Sequence, residues 1–209
     1  MNINQIFKNN KQWVVHKLNE NPNYFTELSE DHKPEILYIG CSDSRVSSEE
    51  LMGAQPGDVF VMRNIANMVS SLDVSAMSII KYAVSELKVK HVIVCGHYEC
   101  GGVKAAMESN DLGILNPWLR NIRDVYRMHS EELNAITCQE EKYKRLVELN
   151  VREQCINVLK TSDVQLAINN RDFKVHGWVF DIHNGKLVDL KINFGEILEE
   201  IKQIYHLDN

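Results

Sequence analysis

The opening stretch of the chain carries apolar side chains at roughly helical spacing. They are Ile3, Ile6, Phe7, Val14, Val15 and Leu18. This spacing predicts an amphipathic helix. Such a helix needs an apolar surface to cover, so residues 1–30 are expected to form a helical arm that packs on a partner subunit. The sequence contains no internal repeat or flexible linker, and residues 1–209 are therefore expected to form a single domain.

Beyond this arm, short apolar runs alternate with longer segments of helical spacing. Strands are predicted at about 35–40, 58–62 and 90–95, followed by a late pair at 174–182 and 186–192 around an Asn184-Gly185 turn. Helices are predicted near 72–88, after Gly101, over most of 116–170 and near 195–205. This alternation predicts an α/β fold with a largely parallel central sheet flanked by helices.

Two local signals refine the predicted helices. Ser47-x-x-Glu50 is a capping-box signature at the start of a short helix. The helix near 72–88 offers several side chains for burial in the core: Val74, Met77, Ile80, Tyr82, Val84 and Leu87.

Composition limits the classes of function. The chain is 44% hydrophobic and 25% charged, as in an ordinary soluble globular domain. A net charge of −6 without a strong cluster of Lys and Arg argues against nucleic-acid binding. No apolar run approaches the length of a membrane span, and no secretory signal is recognised. The chain has five cysteines, an odd number, and their spacing is not that of a disulfide scaffold. This cysteine usage indicates a reducing compartment, most simply the cytoplasm.

Three metal-binding side chains follow two of the predicted strands. Cys41 lies in Cys-Ser-Asp-Ser-Arg after one apolar run, and His97 and Cys100 lie in His-Tyr-Glu-Cys-Gly-Gly after another. Parallel sheets place their sites beyond the carboxyl ends of the strands, where these residues are expected to meet. Two thiolates and one imidazole suit zinc with its fourth position left open, as in a catalytic site. The other cysteines are interpreted as buried or incidental thiols: Cys95, Cys138 and Cys155.

Asp43 and Arg45 follow the first ligand cysteine closely. A carboxylate in this place can accept a hydrogen bond at the open zinc position, or it can take that position itself. Arg45 can hold Asp43 in a bidentate pair, which favours the first role. A plain salt bridge within the loop is the alternative interpretation.

Gly101 and Gly102 follow Cys100 at the start of a predicted helix. Because they lack a Cβ atom, their backbone N–H groups can approach a small anion, and a helix N-terminus favours negative charge. Close packing of the helix on a strand is the alternative role, and both can hold.

These motifs together resemble the β-class carbonic anhydrases of the bacterial type, which interconvert CO2 and bicarbonate. The likeness extends to the block from Pro56 to Asn67, to Lys81-Tyr-Ala-Val84 and to His176-Gly-Trp178. The likeness covers about residues 30–195, so a chance placement of Cys and His residues does not explain it.

The resemblance implies one zinc ion per subunit, bound by Cys41, His97 and Cys100. It implies Asp43 and Arg45 as the catalytic pair, with Asp43 as a zinc ligand in a closed state. It further implies a small, mostly apolar CO2 pocket lined by Val46, Phe60, Ile65, Tyr82 and Gly101. In the family this pocket is built across a dimer interface, N-terminal helices embrace the neighbouring subunit, and dimers often pair into tetramers.

The chain departs from the family pattern at positions that bind substrate or regulate the enzyme. His32 stands where many members have a glutamine that contacts substrate, and it is predicted to replace this contact and to transfer protons. One branch of the family binds a regulatory bicarbonate through a Trp–Arg–Tyr set, where this chain has Tyr38, Arg63 and Phe180. Phe180 lacks the hydroxyl group, so regulation by this route is not expected.

Two other functions are compatible with a site of two cysteines and one histidine. The same zinc site could hydrolyse CS2 or COS, although the sequence has no insertion that suggests a selective tunnel. A zinc or thiol module could instead sense oxidants through Cys41 and Cys100. That second alternative leaves Asp43, Arg45 and the paired glycines without a role.

Overall fold

The computed structural model describes residues 2–30 and 32–204, which divide into an N-terminal unit up to Lys33 and a larger unit that begins at Pro34. The N-terminal unit holds helices α1 (Ile3–Glu20) and α2 (Tyr24–Glu30). Helix α1 begins after Asn2, whose side chain accepts a hydrogen bond from the Asn4 N–H at 3.0 Å. The predicted N-terminal helix is thus confirmed.

The two helices of this unit meet through aromatic rings. The Trp13 ring lies edge-on to Tyr24 and Phe25, at centroid distances of 6.3 and 5.4 Å. The Lys17 ammonium group lies 5.1 Å from the centre of the Tyr24 ring. Neither helix has a buried residue, and the apolar side chains of α1 remain largely exposed. The packing of this arm on a partner subunit therefore stays a prediction.

The larger unit is built on a five-stranded sheet in the order β2-β1-β3-β4-β5. The strands are β1 (Ile36–Cys41), β2 (Val59–Asn64), β3 (His91–His97), β4 (Lys174–Asp181) and β5 (Lys186–Asp189). The first four strands run parallel, and β5 pairs antiparallel with β4 at one edge. The predicted largely parallel sheet with a late antiparallel pair is confirmed.

Helices cover the sheet and connect its strands. They are α3 (Ser48–Met52), α4 (Val74–Lys81), α5 (Gly101–Met107), α6 (Asn116–Met128), α7 (Ser130–Ala135), α8 (Gln139–Leu159), α9 (Ser162–Asn170) and α10 (Phe194–Ile204). Short 3₁₀ turns lie at Ile65–Asn67 and Gly113–Leu115, and a π-helical turn lies at Tyr82–Glu86. Among the described helices, none combines the length and the apolar character needed to span a lipid bilayer.

Helix α8 packs closely on the middle of the sheet because two strand residues lack side chains. A Cβ atom on Gly96 would lie 2.6 Å from Cγ2 of Val151, and one on Gly177 would lie 3.2 Å from Sγ of Cys155. Such glycines mark close approach of a second element to a strand. Val151 and Cys155 are fully buried, so α8 forms part of the main hydrophobic core.

The short helix predicted at Ser47 is confirmed, since Ser47 directly precedes α3, but its side chain makes no capping hydrogen bond. The burial expected for two residues of the next helix is wrong. Val74 and Tyr82 are exposed rather than buried. Val74 is the first residue of α4 and follows the Asp73 cap. At Tyr82 the α-helix ends and a π turn begins, in which the Leu87 N–H donates to the Tyr82 carbonyl at 3.0 Å. A π turn contains more residues than an α turn, so a face drawn at a period of 3.6 no longer matches the buried face.

Candidate active site

Three potential metal ligands meet at the carboxyl ends of β1 and β3. Cys41 and His97 are the last residues of these neighbouring strands, and Cys100 precedes the first residue of α5. The two sulfur atoms lie 3.9 Å apart, and all three ligand atoms lie within 4.8 Å of one another. All three residues are buried. Among the residues that the structure describes, Cys41, His97 and Cys100 form the one group of three potential ligands close enough to share a metal ion.

The hydrogen bonds of His97 leave one ring nitrogen available to a metal. Its Nδ1 lies 2.8 Å from the Tyr98 carbonyl oxygen. A carbonyl can only accept, so Nδ1 carries the proton and Nε2 presents a lone pair. Nε2 is buried without a hydrogen-bond partner. A buried nitrogen lone pair beside two thiols is unusual without a ligand, and the donor set fits zinc.

The two thiols influence each other strongly. Hydrogen bonding from Cys100 is the main cause that lowers the pKa of Cys41. The Cys41 thiolate in turn raises the pKa of Cys100 by accepting a hydrogen bond from its thiol, and burial raises it further. Neighbouring backbone N–H groups lower both pKa values: those of Ala66 and Asp43 act on Cys41, and those of Gly102 and Val103 act on Cys100. A divalent cation between the sulfurs would allow both to be thiolates.

Asp43 is held by Arg45 rather than by the ligand cluster. The guanidinium group donates from Nε to Oδ1 at 2.9 Å and from Nη2 to Oδ2 at 2.7 Å, and the Arg45 backbone N–H donates to Oδ1 at 3.0 Å. The hydrogen bonds from Arg45 lower the pKa of Asp43 well below its usual range. Oδ2 lies 3.8 Å from Nε2 of His97. Of the two predicted arrangements of Asp43, pairing with Arg45 or occupation of the open metal position, the structure shows the pairing with Arg45.

Two further side chains fix the backbone of the ligand loops. Arg63 donates from Nε to the Cys41 carbonyl at 2.8 Å and from Nη2 to the Asp43 carbonyl at 2.5 Å. The hydroxyl of Tyr143, on α8, donates to the Cys100 carbonyl at 2.9 Å. No local sequence pattern predicts the role of Tyr143, because its position follows ordinary helical spacing.

Comparison with known proteins identifies the family. A family model described as carbonic anhydrase matches residues 36–187, most of the chain. A carbonic anhydrase of Emericella nidulans is 56% identical over 204 residues, which cover 97% of this chain and 90% of that protein. The chain belongs to the β-carbonic anhydrase family.

Solved structures of β-carbonic anhydrases share the fold. The enzyme of the fungal pathogen Aspergillus fumigatus is 39% identical, with a TM-score of 0.92, and the match covers 98% of this chain and 99% of that one. One of two tetrameric enzymes from the filamentous ascomycete Sordaria macrospora is 41% identical, with a TM-score of 0.87 over 90% of this chain and 96% of that one. The resemblance to β-class carbonic anhydrases seen in the sequence is therefore confirmed, and CO2 hydration is the reaction of this family.

The residues expected to line the CO2 pocket of this carbonic anhydrase divide by burial. Val46 is buried and Phe60 is half-buried, with its ring centre 5.8 Å from that of Tyr82. Ile65, Tyr82 and Gly101 are exposed, and no atom lies within 4 Å of the place where a Cβ on Gly101 would stand. The structure thus brings Phe60 and Tyr82 together, while their role as pocket residues stays a prediction.

The positions that depart from the family pattern lie in different surroundings. Tyr38 is buried in a small cluster with Ile93 and Cys95, against which Phe180 packs. A Cβ on Gly40 would collide with the Tyr38 ring. Arg63 stands where one branch of the family has the arginine that contacts a regulatory bicarbonate, and here it holds the Cys41 loop. His32 is an exposed residue of the N-terminal unit, and its roles in substrate contact and proton transfer remain predictions.

Proposed function

We propose that this carbonic anhydrase hydrates CO2 reversibly to bicarbonate and a proton, with one zinc ion per subunit held by Cys41, His97 and Cys100. The observation that supports this proposal most directly is Nε2 of His97, which is buried without a partner and lies close to two thiol sulfurs. Zinc bound there would supply a Lewis acid that lowers the pKa of a water ligand.

Asp43 and Arg45 supply orientation beside the open zinc position. Arg45 occupies both carboxylate oxygens of Asp43, which restrains the carboxylate from binding a cation itself. Oδ2, the oxygen nearer to His97, can also accept a hydrogen bond from the reacting group and so fix its direction. Because Arg45 keeps the pKa of Asp43 low, this carboxylate is ionised at every pH at which hydration is assayed.

The charge of the ligand set bears on the pH dependence. Two thiolates neutralise the charge of Zn²⁺, so the cation polarises its open position less than it would among three neutral imidazoles. Activity is therefore expected to rise toward mildly basic pH. Since Asp43 stays ionised throughout this range, its protonation does not cause that rise.

Self-association forms a second part of the proposal. Phe60, Ile65 and Tyr82 offer an incompletely covered apolar surface, and α1 offers another. Relatives from Sordaria macrospora are tetrameric. We propose that the chain forms dimers or tetramers in which these surfaces are covered, with the enzyme located in the cytoplasm.

Stopped-flow measurement of CO2 hydration with a pH indicator, on protein whose zinc content has been determined, tests the proposed function. One zinc per subunit and catalysed hydration are expected. If zinc-loaded protein hydrolyses CS2 or COS but does not hydrate CO2, then CS2 or COS is the substrate instead of CO2. Protein without either activity, whose zinc is released on mild oxidation as a Cys41–Cys100 disulfide forms, would favour the thiol module instead.

A further inference from the structure

The short turn Ile65–Asn67 holds an alanine in a backbone conformation that alanine does not favour. Ala66 has φ 64° and ψ 34°, and Asn67 has φ 49°, so both lie in the left-handed region. Residues with a Cβ atom rarely adopt this conformation, and alanine has no polar side chain to compensate. Both residues are buried. Contacts from other elements must therefore hold this turn in place.

This turn packs against the helix that follows the ligand Cys100. A Cβ on Gly102 would lie 2.6 Å from Cγ2 of Ile65 and 3.3 Å from Cβ of Ala66, so the start of α5 packs directly on the turn. Ala66 also belongs to the same buried cluster as Cys41 and Cys100. A shift of the turn would therefore loosen the packing around both ligand cysteines and the helix that follows Cys100.

A buried amide on α8 holds the turn from behind. Nδ2 of Asn150 donates to the Ala66 carbonyl at 3.0 Å, and Oδ1 of Asn150 accepts from Nε2 of Gln154 at 3.2 Å. Gln154 in turn accepts from the Val69 N–H at 2.9 Å. Asn150 and Gln154 are each 1% exposed, so these bonds form without competition from water.

A second donor holds the other end of the turn. Nε1 of Trp118, on α6, donates to the Ile65 carbonyl at 2.9 Å. The Ile65 and Ala66 carbonyls are thus held from two different helices. Hydrogen bonds that orient metal ligands commonly change metal affinity by about ten- to a hundredfold, and these two act on the turn that packs against the ligand-bearing segment.

We propose that Asn150 is a positioning residue of the metal centre. By holding the Ala66 carbonyl, it keeps the turn packed against the start of α5 and so fixes the position of Cys100, which sets the affinity of the site for its metal. This inference rests on the proposed zinc function, and it adds to the site a residue that contacts neither the metal ligands nor substrate.

The first test replaces Asn150 with leucine, which removes both polar groups at similar volume. The affinities of the purified protein for Zn²⁺ and Co²⁺ are measured by competition with a chromogenic chelator, and the sulfur-to-cobalt charge-transfer band is recorded. Asn150→Leu is expected to weaken both affinities by about ten- to a hundredfold and to shift the band. Neither readout depends on catalytic turnover.

Asn157→Leu provides the matched control. Asn157 lies on the same face of α8, and its Nδ2 donates to the Val69 carbonyl at 2.9 Å, outside the turn. This variant loses a half-buried amide-to-carbonyl bond and a 3.3 Å bond to Oε1 of Gln154 while it keeps the bond from Asn150 to the Ala66 carbonyl, so general damage to the helix would affect both variants. Its metal affinity and cobalt spectrum are expected to match those of the wild type.

A rescue variant separates positioning from damage. Glycine adopts the left-handed conformation without the steric cost, so Ala66→Gly introduced into Asn150→Leu is expected to regain most of the lost affinity. The proposal is overturned if Asn150→Leu keeps the wild-type affinity and spectrum, if Asn157→Leu loses as much affinity, or if Ala66→Gly rescues nothing.

Two further measurements keep the test decisive. If Asn150→Leu does not fold, Trp118→Phe removes only the Nε1 donor at the Ile65 carbonyl, and a smaller loss of affinity in the same direction is expected. Wild-type affinity and spectrum in a folded Trp118→Phe protein would then overturn the proposal. Wild-type protein that binds neither metal would instead refute the proposed zinc function, whatever the variants show.

Discussion

The metal-ligand cluster and the wall of the expected substrate pocket differ sharply in how far one chain completes them. Cys41, His97 and Cys100 are 7%, 0% and 1% exposed, whereas Ile65 and Tyr82 are 40% and 48% exposed. Cys41 and His97 end the adjacent strands β1 and β3, so the pairing of these strands brings them together, and Cys100 follows three residues after His97, directly before α5. Ile65 follows the edge strand β2, and Tyr82 begins the π turn after α4.

This difference indicates that the two halves of the site depend on different levels of structure. The proposed metal binding is expected to require only the folded chain, because the sheet and the start of α5 place the three candidate ligands together. The pocket wall presents apolar side chains to solvent in a single chain, an arrangement that typically marks a contact surface. Metal content and catalytic rate should therefore respond differently to variants in the two regions.

The largest effect is expected from a change in the ligand cluster. Cys100→Ser replaces a thiolate with a much weaker zinc ligand, so the protein should lose its zinc and its hydration activity together. Zinc content by elemental analysis and the stopped-flow rate check this outcome. Cys138→Ser, which changes an exposed cysteine outside the cluster, should affect neither. A zinc-replete, active Cys100→Ser protein would remove Cys100 from the site.

A large loss of rate without loss of metal is expected from Asp43→Asn. The amide keeps the shape of the carboxylate but loses its charge and one accepting oxygen, so the rate should fall by about 10²- to 10⁴-fold while zinc stays bound. Arg45→Ala should free Asp43 to approach the metal and should also lower the rate.

The double variant decides whether the two residues act as a unit. The two oxygens of Asp43 are both occupied by Arg45, so loss of either partner should remove most of the shared effect. The double variant should then be little slower than the slower single variant. Strictly additive losses in free energy would contradict the coupling.

The fold and the ligand cluster were the parts of this molecule most accessible from sequence. Apolar runs before Cys41 and His97 predicted the central strands, and the residue types predicted the metal. The turn at Ala66 was not predictable, because neither of its left-handed residues is the glycine that would signal such a turn. The contact from Asn150 to the turn spans 84 positions in sequence, so no local pattern records it. The π turn at Tyr82 depends likewise on tertiary contacts rather than on composition.

A moderate effect is expected where the pocket wall is exposed. Tyr82→Glu places a charge on a surface proposed to be covered by a second subunit, outside the Ile65–Asn67 turn, and burial of an unpaired charge is costly. Self-association should weaken by at least about tenfold, equivalent to about 1.4 kcal/mol. The rate should fall with it, whereas zinc content should stay near one per subunit.

Light scattering at several protein concentrations, with zinc content and rate from the same samples, checks this outcome. Met128→Glu changes another exposed apolar residue, at the end of α6, and serves as the control. Loss of zinc in Tyr82→Glu at full assembly would show that the wall and the ligand cluster are not separable in this way.

The smallest effect is expected at His32, which belongs to neither region. Each turnover releases one proton, and histidine is the side chain best suited to carry protons near neutral pH. Buffer molecules can carry the same proton, so the shuttle should matter only when buffer is scarce. His32→Gln restores the residue that many family members have here, and its rate should match the wild type in strong buffer and fall by less than about tenfold in weak buffer. Added imidazole should recover the difference. A rate that equals the wild type at every buffer concentration would exclude His32 from proton transfer, and an equal loss at all concentrations would assign it to substrate contact instead.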